Sequence, residues 1–272
     1  MNPLQERQEA PILFLSVFKS GTWLVRRILE VMTGLACHEP VILPGRSDPG
    51  DPGMLTPRPG SFYSWHLHPT PPVREKIRGM NGAPVLLMRN VYDLVVSMYH
   101  HFRDNIDGDI GRGRNVSHYF TDCDREEGMR RIIEGFTRPD FRWRGLSGHL
   151  MQMELMLTLA DEHPSLVTTY ERMAGDKAGE IRRLAAFLGI GLTPTREEEI
   201  LRRSGFDHMR QEAVRQNGGS HFRVGRPQTH LDELSERNRE QVRTMVARQV
   251  PRLPELARQF DLPEILAGAD PD

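Results

Sequence analysis

The chain has 272 residues, and its 36 Lys and Arg nearly balance its 37 Asp and Glu, which leaves a formal net charge of −1. This length is enough to bury one substantial core, so we expect a single domain over residues 1–272. The balanced charge excludes an overall field that would attract nucleic acid or an anionic membrane. A polyanionic ligand would therefore need a local cluster of positive groups.

The start of the chain and its cysteines carry no export or metal signal. The first apolar run, residues 12–17, is too short to cross a bilayer, and residues 1–10 carry acids instead of a basic signal region. We therefore expect a cytoplasmic protein with flexible termini at 1–10 and 263–272. Only two cysteines occur, Cys37 and Cys123, without metal-like spacing, so neither a structural zinc nor a disulfide framework is expected.

Strand and helix patterns alternate along the first half of the chain. Apolar runs predict short buried strands, and apolar residues at helical spacing predict the helices that follow them. Clusters of Pro and Gly, or of Asp, Gly and Arg, predict irregular loops. In chain order we predict a strand at 11–18, a helix at 23–32, a loop at 41–61, strands at 62–67 and 84–88, a helix at 91–102 and a loop at 103–117.

Helices dominate the predicted second half. Two helical stretches fall between residues 125 and 163, a strand at 165–170, and a helix at 171–188 that Gly189 would end in a left-handed turn. The remainder beyond Thr195 is predicted to be helical, with a loop at 217–228. Strands that alternate with helices predict a mainly parallel sheet with helices on both faces, a three-layer α/β/α fold.

The first strand runs into its helix through the sequence F-K-S-G-T-W at residues 18–23. Backbone N–H groups at a helix start point toward an anion, and the side chains of Lys19 and Thr22 add donors. The order differs from the Walker pattern because the Lys precedes the Gly. The segment therefore predicts a phosphate-binding loop, with an ordinary capped helix start as the alternative.

A second segment, R-N-V-Y-D-L-V-V-S-M-Y-H-H-F, covers residues 89–102. Arg89 falls at the end of a predicted strand and Ser97 two turns into the next helix, so both can converge on one phosphate. The alternative is an Arg89 that pairs with Asp93 and a Ser97 that faces the core.

Together these segments resemble the two donor-binding motifs of the sulfotransferases that use 3′-phosphoadenosine 5′-phosphosulfate (PAPS). In that family P-K-S-G-T-T-W holds the 5′-phosphosulfate, and R-N-P-x-D-x-x-V-S-x-Y-x-H-F holds the 3′-phosphate. The resemblance implies a P-loop NTPase-like fold with a central parallel sheet, and it assigns donor binding to Lys19, Ser20, Gly21, Thr22, Trp23, Arg89 and Ser97. Phe18 replaces the family's Pro, and one Thr precedes Trp23 in place of two.

Three weaker matches follow in the family's order. V-T-T-Y-E at 167–171, S-G-F-D-H-M at 204–209 and F-R-V-G at 222–225 are similar to the family's adenine segments and to its F-R-K-G cover over the 3′-phosphate. They extend the implied donor site to Tyr170, Ser204, Phe206, Arg223 and Gly225. Trp23 and Phe206 would stack on the adenine. Val224 stands where the family has Lys, which removes one cation.

Residues 63–69 read Y-S-W-H-L-H-P and are similar to the family's K-T-H-L-P, whose His takes the acceptor proton. His66 matches that His by register, while Ser64 replaces the Lys. His68 lies on the same side of a strand by two-residue periodicity and stays open as a rival for the role of base. No Cys or carboxylate lies at ligand spacing beside the two His, so we expect no metal.

The resemblance implies an enzyme that transfers the sulfuryl group of PAPS, as co-substrate, to a hydroxyl or amine of a small-molecule or natural-product acceptor. His66 would be the base, and Lys19 would stabilise the leaving group. One alternative is a P-loop kinase-like transferase, which needs a Walker Lys and a metal-holding carboxylate. Another is a nucleotide-binding protein that has lost catalysis.

Overall fold

Five parallel strands form the central layer of the protein. The structure is a computed structural model that describes residues 10–40, 48–104, 116–138, 142–217 and 225–268. The strands are β1 (Ile12–Ser16), β2 (Ala36–His38), β3 (Ser61–Trp65), β4 (Ala83–Met88), β5 (Phe136–Thr137), β6 (Arg142–Trp143) and β7 (Leu166–Thr169). Strands β5 and β6 form a separate antiparallel pair.

Helices cover both faces of the sheet and most of the second half of the chain. They are α1 (Thr22–Thr33), α2 (Pro71–Gly79), α3 (Val91–Arg103), α4 (Arg125–Glu134), α5 (Ser147–Glu162), α6 (Tyr170–Gly175), α7 (Lys177–Leu188), α8 (Pro194–Arg203), α9 (Phe206–Asn217), α10 (His230–Glu233), α11 (Glu236–Gln249) and α12 (Leu253–Gln259). None of these described helices combines the length and the apolar character needed to cross a membrane.

The strand order in the central sheet is β2-β3-β1-β4-β7, and all neighbours are parallel. After β1 the chain leaves toward β2 on one side, whereas after β4 it leads to β7 on the other side. In open parallel sheets, the point where connections diverge leaves a crevice at the carboxyl ends of the strands, and ligands bind there. The fold therefore places that crevice between the ends of β1 and β4.

The sheet is buried on both faces. Along β1, Leu13 and Leu15 belong to one apolar cluster, while Phe14 belongs to a second cluster with Val85 and Leu87 of β4. Successive side chains of a strand point to opposite faces, so two helical layers can cover one sheet. This arrangement confirms the predicted three-layer α/β/α fold with a central parallel sheet.

Some local predictions differ from the structure. The predicted helix at 171–188 is divided into α6 and α7 at Asp176, whose carboxylate accepts the N–H of Gly179 and so starts a new helix. Gly189 ends α7 with a φ of 68°, as predicted. Strand β2 and the β5–β6 pair were not predicted, because two or three residues are too short to show a period.

The predicted loops and termini are described only in part. Residues 41–47 and 105–115 lie outside the described residues, whereas Pro52–Met54 form a 3₁₀ turn with a buried Met54. Near the C-terminus, within the segment predicted to be flexible, Pro263–Ile265 form another 3₁₀ turn whose Ile265 is buried.

Candidate active site

A cavity of about 720 Å³ lies at the carboxyl ends of β1, β3, β4 and β7. Its lining includes nearly all the residues singled out in the sequence: Lys19, Gly21, Thr22, Trp23, His66, Arg89, Ser97, Tyr170, Ser204, Phe206 and Gly225. Ser20 does not line it, because its hydroxyl bonds inside the loop, and Arg223 lies outside the described residues. Segments far apart in sequence therefore meet at one place.

The loop at the end of β1 is a tight turn in front of α1. The hydroxyl of Ser20 donates to the Val17 carbonyl at 2.6 Å, which fixes the turn from within. Gly21 is left-handed with a φ of 94°, and a Cβ there would lie 2.7 Å from the Tyr170 ring. Only glycine satisfies both conditions. The turn places the start of α1, with Gly21, Thr22 and Trp23, at the cavity, as expected of an anion site.

Lys19 joins this loop to two other elements. It is one of the few non-glycine residues with a positive φ, 67°. Its carbonyl accepts a hydrogen bond from Arg89 at 3.2 Å, and its Nζ lies 3.3 Å from Nδ1 of His101 on α3. The ammonium group is therefore held at the cavity by a side chain that the sequence analysis did not single out. The side chain of His101 on α3 is only 1% exposed.

Arg89 follows β4 and is positioned to bind an anion. Its guanidinium lies 4.5 Å from the centre of the Tyr170 ring, and its buried Nε has no hydrogen-bond partner within the described part of the chain. Asp93 approaches it only to 3.8 Å. Arg89 therefore does pair electrostatically with Asp93, as the alternative predicted. The pairing still leaves N–H groups of the guanidinium available to an anion.

The carboxylate of Asp93 binds residues 228–230, which lie shortly after Gly225 at the cavity. It accepts hydrogen bonds from the backbone N–H groups of Gln228 and His230, from the Thr229 hydroxyl and from the His230 ring, at 2.6 to 3.1 Å. Burial alone raises the pKa of Asp93, but the bonds from His230 and the nearby Arg89 outweigh it and hold the pKa at about 2. The ionised Asp93 therefore fixes the segment that carries Gly225 to the cavity wall.

The predicted adenine residues form the outer wall. Trp23 is 52% exposed at the start of α1, and the guanidinium of Arg26 lies over its ring, 5.6 Å from the ring centre. Phe206 packs so closely on Gly225 that a Cβ at Gly225 would lie 2.5 Å from the ring. The carbonyl of buried Ser204 accepts a hydrogen bond from Lys177 at 3.0 Å. Aromatic faces and close backbone approach are what a flat base needs.

His66 follows β3 at the inner end of the cavity. Its Nδ1 lies 2.8 Å from the carbonyl of Ser16. Because a carbonyl only accepts, Nδ1 must carry the hydrogen, and Nε2 keeps its lone pair. Burial lowers the pKa of the imidazole from 6.5 to about 4, with the Ser16 carbonyl opposing the shift. The ring is thus neutral near pH 7 and able to accept a proton at Nε2.

His68 occupies a different environment. It is half-buried, its N–H donates to the Pro49 carbonyl at 2.8 Å, and it does not line the cavity. Strand β3 ends at Trp65, so the two-residue alternation that would place both His rings on one side does not continue. The geometry therefore brings only His66 to the predicted donor residues.

The family model described as "Sulfotransferase domain" matches residues 59–254. The chain belongs to the sulfotransferase family. Comparison with curated protein sequences gives no match.

Solved sulfotransferase structures share the fold of this family member. Mouse sulfotransferase SULT7A1 complexed with PAP is 18% identical, with a TM-score of 0.65 over 93% of this chain and 89% of that one. Retinol dehydratase in complex with androsterone and inactive cofactor PAP is 14% identical, with a TM-score of 0.59 over 90% and 83%. Retinol dehydratase with retinol and PAP is 13% identical, with a TM-score of 0.60 over 89% and 82%. At these identities the likeness shows a common fold.

The sulfotransferase site also contains residues that the sequence analysis missed. Phe18, Arg26, Glu39, Trp65, His101 and Lys177 line the same cavity. Arg26 donates from Nε to the hydroxyl of Ser64 at 2.8 Å, at the position where the family's Lys is replaced. The sequence could have indicated Arg26, because it follows Thr22 by four residues and therefore lies on the same face of α1.

Proposed function

We propose that the chain transfers the sulfuryl group of PAPS to a hydroxyl or amine of a small-molecule acceptor. The observation that carries the proposal is one cavity shared by the Lys19 loop, by Arg89 with Ser97, and by a neutral His66. An anion loop, a second anion site and a general base are the three elements that such a transfer requires. PAPS would supply the activated sulfuryl group on its 5′-phosphate.

The residues present fit this donor. The buried Nε of Arg89, without a partner among the described residues, would bind the 3′-phosphate together with the Ser97 hydroxyl. Gly21 and Gly225 let the rings of Tyr170 and Phe206 pack directly against the backbone of the cavity wall, where a nucleotide would lie beside them. A site of this kind would prefer a 3′,5′-bisphosphate over ATP, because Arg89 and Ser97 offer a second anion site in addition to the loop after β1.

His66 and Lys19 would divide the chemistry between acceptor and donor. Nε2 of His66 takes the proton of the attacking hydroxyl or amine while the new bond to sulfur forms. The bond from sulfur to the phosphate oxygen breaks, and Lys19, Thr22 and the loop N–H groups stabilise the charge left on that phosphate. The reaction ends with a sulfated acceptor, the 3′,5′-bisphosphate PAP, and a proton on His66.

An apolar acceptor suits the inner end of the cavity. The Phe18 ring packs edge-on against His66 with ring centres 5.5 Å apart, and Trp65 lies 5.9 Å from the same imidazole. Retinol dehydratase, which has the same fold, binds androsterone and retinol. A small apolar molecule with one hydroxyl or amine would place that group at His66.

Calorimetric titration with PAP, against ATP and AMP, tests donor binding. We expect micromolar binding of PAP that is lost in Arg89→Ala and kept in Arg202→Ala, an exposed Arg of α8 outside the cavity. A preference for ATP with Mg²⁺ would overturn the proposal in favour of a kinase-like transferase. PAP binding without conversion of PAPS, over a broad panel of acceptors, would instead indicate a binding protein.

A further inference from the structure

A buried arginine on α1 borders the same space as the base. Arg26 is 8% exposed, lines the cavity and lies one turn after Thr22, on the same helix face. The hydroxyl of Thr22 is 3.0 Å from that of Ser16, which in turn is 3.2 Å from Nδ1 of His66. Arg26 therefore lies on the wall that connects the anion loop to the base.

Three contacts hold the guanidinium of Arg26, the first of them with the Trp23 ring, whose centre lies 5.6 Å from Cζ. Nε donates to the Ser64 hydroxyl at 2.8 Å, and Nη2 pairs with the Glu39 carboxylate. Within the described part of the chain, Nη1 has no hydrogen-bond partner. The Glu39 side chain is half exposed, so water screens its charge. The positive charge of Arg26 thus stays only partly balanced on the side of the cavity.

The contacts with Ser64, Glu39 and Trp23 offset only part of the desolvation penalty that a buried guanidinium carries, because the paired carboxylate is half exposed. An anion that enters the cavity would compensate the remainder. The anion must fit between the Lys19 loop and His66, which is where a sulfuryl group would pass.

We propose that Arg26 is a further catalytic residue, which binds the sulfuryl oxygens from the side of His66 while Lys19 acts from the side of the departing phosphate. The inference rests on the proposed sulfuryl transfer. Arg26 exchanges no proton: the bond from sulfur to the phosphate oxygen breaks, the bond to the acceptor forms, and the acceptor proton goes to His66. A planar guanidinium offers paired donors to a group of equivalent oxygens.

Orthovanadate in the presence of saturating PAP provides a binding test that does not depend on turnover, because vanadate adopts the geometry of the transferring group. In Arg26→Gln we expect the Kd of PAP to stay within about twofold of wild type while vanadate binds about tenfold more weakly or worse. The kcat for formation of PAP from PAPS should fall by about 10²–10³. Unchanged vanadate binding and unchanged kcat would overturn the assignment.

Arg27→Gln is the matched control, because it removes the same charge from the next residue, which pairs with Glu30 and Glu212 and does not line the cavity. It should bind vanadate as wild type does. If Arg26→Gln does not fold, Arg26→Lys keeps the charge but loses the fork, and vanadate should bind at least about threefold more weakly; wild-type affinity there would overturn the assignment. A wild type that neither binds PAP nor converts PAPS would instead contradict the proposed function itself.

Discussion

The two ends of the cavity are built in different ways. At the donor end, Lys19 and Gly21 have left-handed backbones in the turn after β1 and Arg89 follows β4, so backbone geometry places them. At the base end, His66 depends on side chains and carbonyls that come from separate parts of the chain, such as Ser16 and Arg26. The donor end follows from local sequence, whereas the base end follows from how the elements pack.

This difference indicates where the family member is free to vary. A loop that binds phosphate through backbone N–H groups needs its glycine and its strand, and it allows few substitutions. A base held by packing can be supported by other residues, as when Ser64 stands in place of Lys and bonds Arg26.

Replacing His66 by Ala should abolish most of the turnover and leave donor binding intact. We expect kcat to fall by about 10²–10⁴, as for loss of a general base, with the Kd of PAP unchanged. Steady-state kinetics combined with calorimetry checks this. His68→Ala is the control and should retain the wild-type rate, because His68 does not line the cavity. Near wild-type turnover in His66→Ala would show that His66 is not the general base.

The pH dependence should follow the lowered pKa of His66. The ring must be neutral to accept a proton, and burial lowers its pKa to about 4, with the Ser16 carbonyl opposing the shift and the nearby Arg26 adding to it. The rate constant kcat/KM should therefore stay constant down to about pH 4 and then fall about tenfold per pH unit. An acid limb near pH 6.5 would contradict a buried imidazole.

The same shift affects stability. Because the unfolded imidazole binds a proton near pH 6.5 and the folded one near pH 4, His66 favours the folded state above 6.5. That contribution declines as the pH falls from 6.5 toward 4. Burial, together with the nearby His66, lowers the pKa of half-buried His149 to about 3, so His149 adds a decline of the same sign. Denaturant titrations at several pH values check the slope.

Substituting Gly21 by Ala should weaken donor binding and the fold together. The left-handed backbone costs a residue with a Cβ about 1–2 kcal/mol, and the added atom would meet Tyr170 at 2.7 Å. We expect a lower Tm and PAP binding weaker by about tenfold. Gly79→Ala, at the end of α2 with no atom within 4 Å of the added Cβ, should leave both unchanged.

Gln152 provides the smallest test, through the support of the base. Its Nε2 donates at 3.1 Å both to the Ser16 carbonyl that holds His66 and to the Leu67 carbonyl. Gln152→Leu should lower kcat by about threefold to tenfold and leave the Kd of PAP unchanged, since one supporting hydrogen bond is worth about 1 kcal/mol. Gln259→Leu, on the surface, should have no effect on kcat. Equal losses in kcat and in PAP affinity would indicate general loosening.

The sequence predicted most of the fold and the donor end of the site. Strand, turn and helix follow one another within a dozen residues around Lys19 and around Arg89, so local patterns suffice there. The assignment of donor roles to these residues stays a prediction. The strand order could not be predicted, because it depends on which helix crosses which face of the sheet.

The residues missed by the sequence analysis share one physical reason. Contacts with residues dozens of positions away bring in Ser16, His101 and Gln152. The spacing of residues along the sequence does not predict such contacts. The break at Asp176 was missed for the opposite reason, because a single capping carboxylate outweighs an otherwise continuous helical pattern. Which of His66 and His68 lines the cavity depends on where β3 ends, and the role of base stays a prediction.

The most direct test of the account is a turnover assay in which wild type and His66→Ala receive PAPS and a panel of apolar hydroxyl and amine acceptors. We expect wild type to form PAP and sulfated acceptor in equal amounts, and His66→Ala to bind PAP as tightly but to turn over at least about a hundredfold more slowly. A wild type that binds PAP yet transfers nothing, or a His66→Ala variant as fast as wild type, would contradict it.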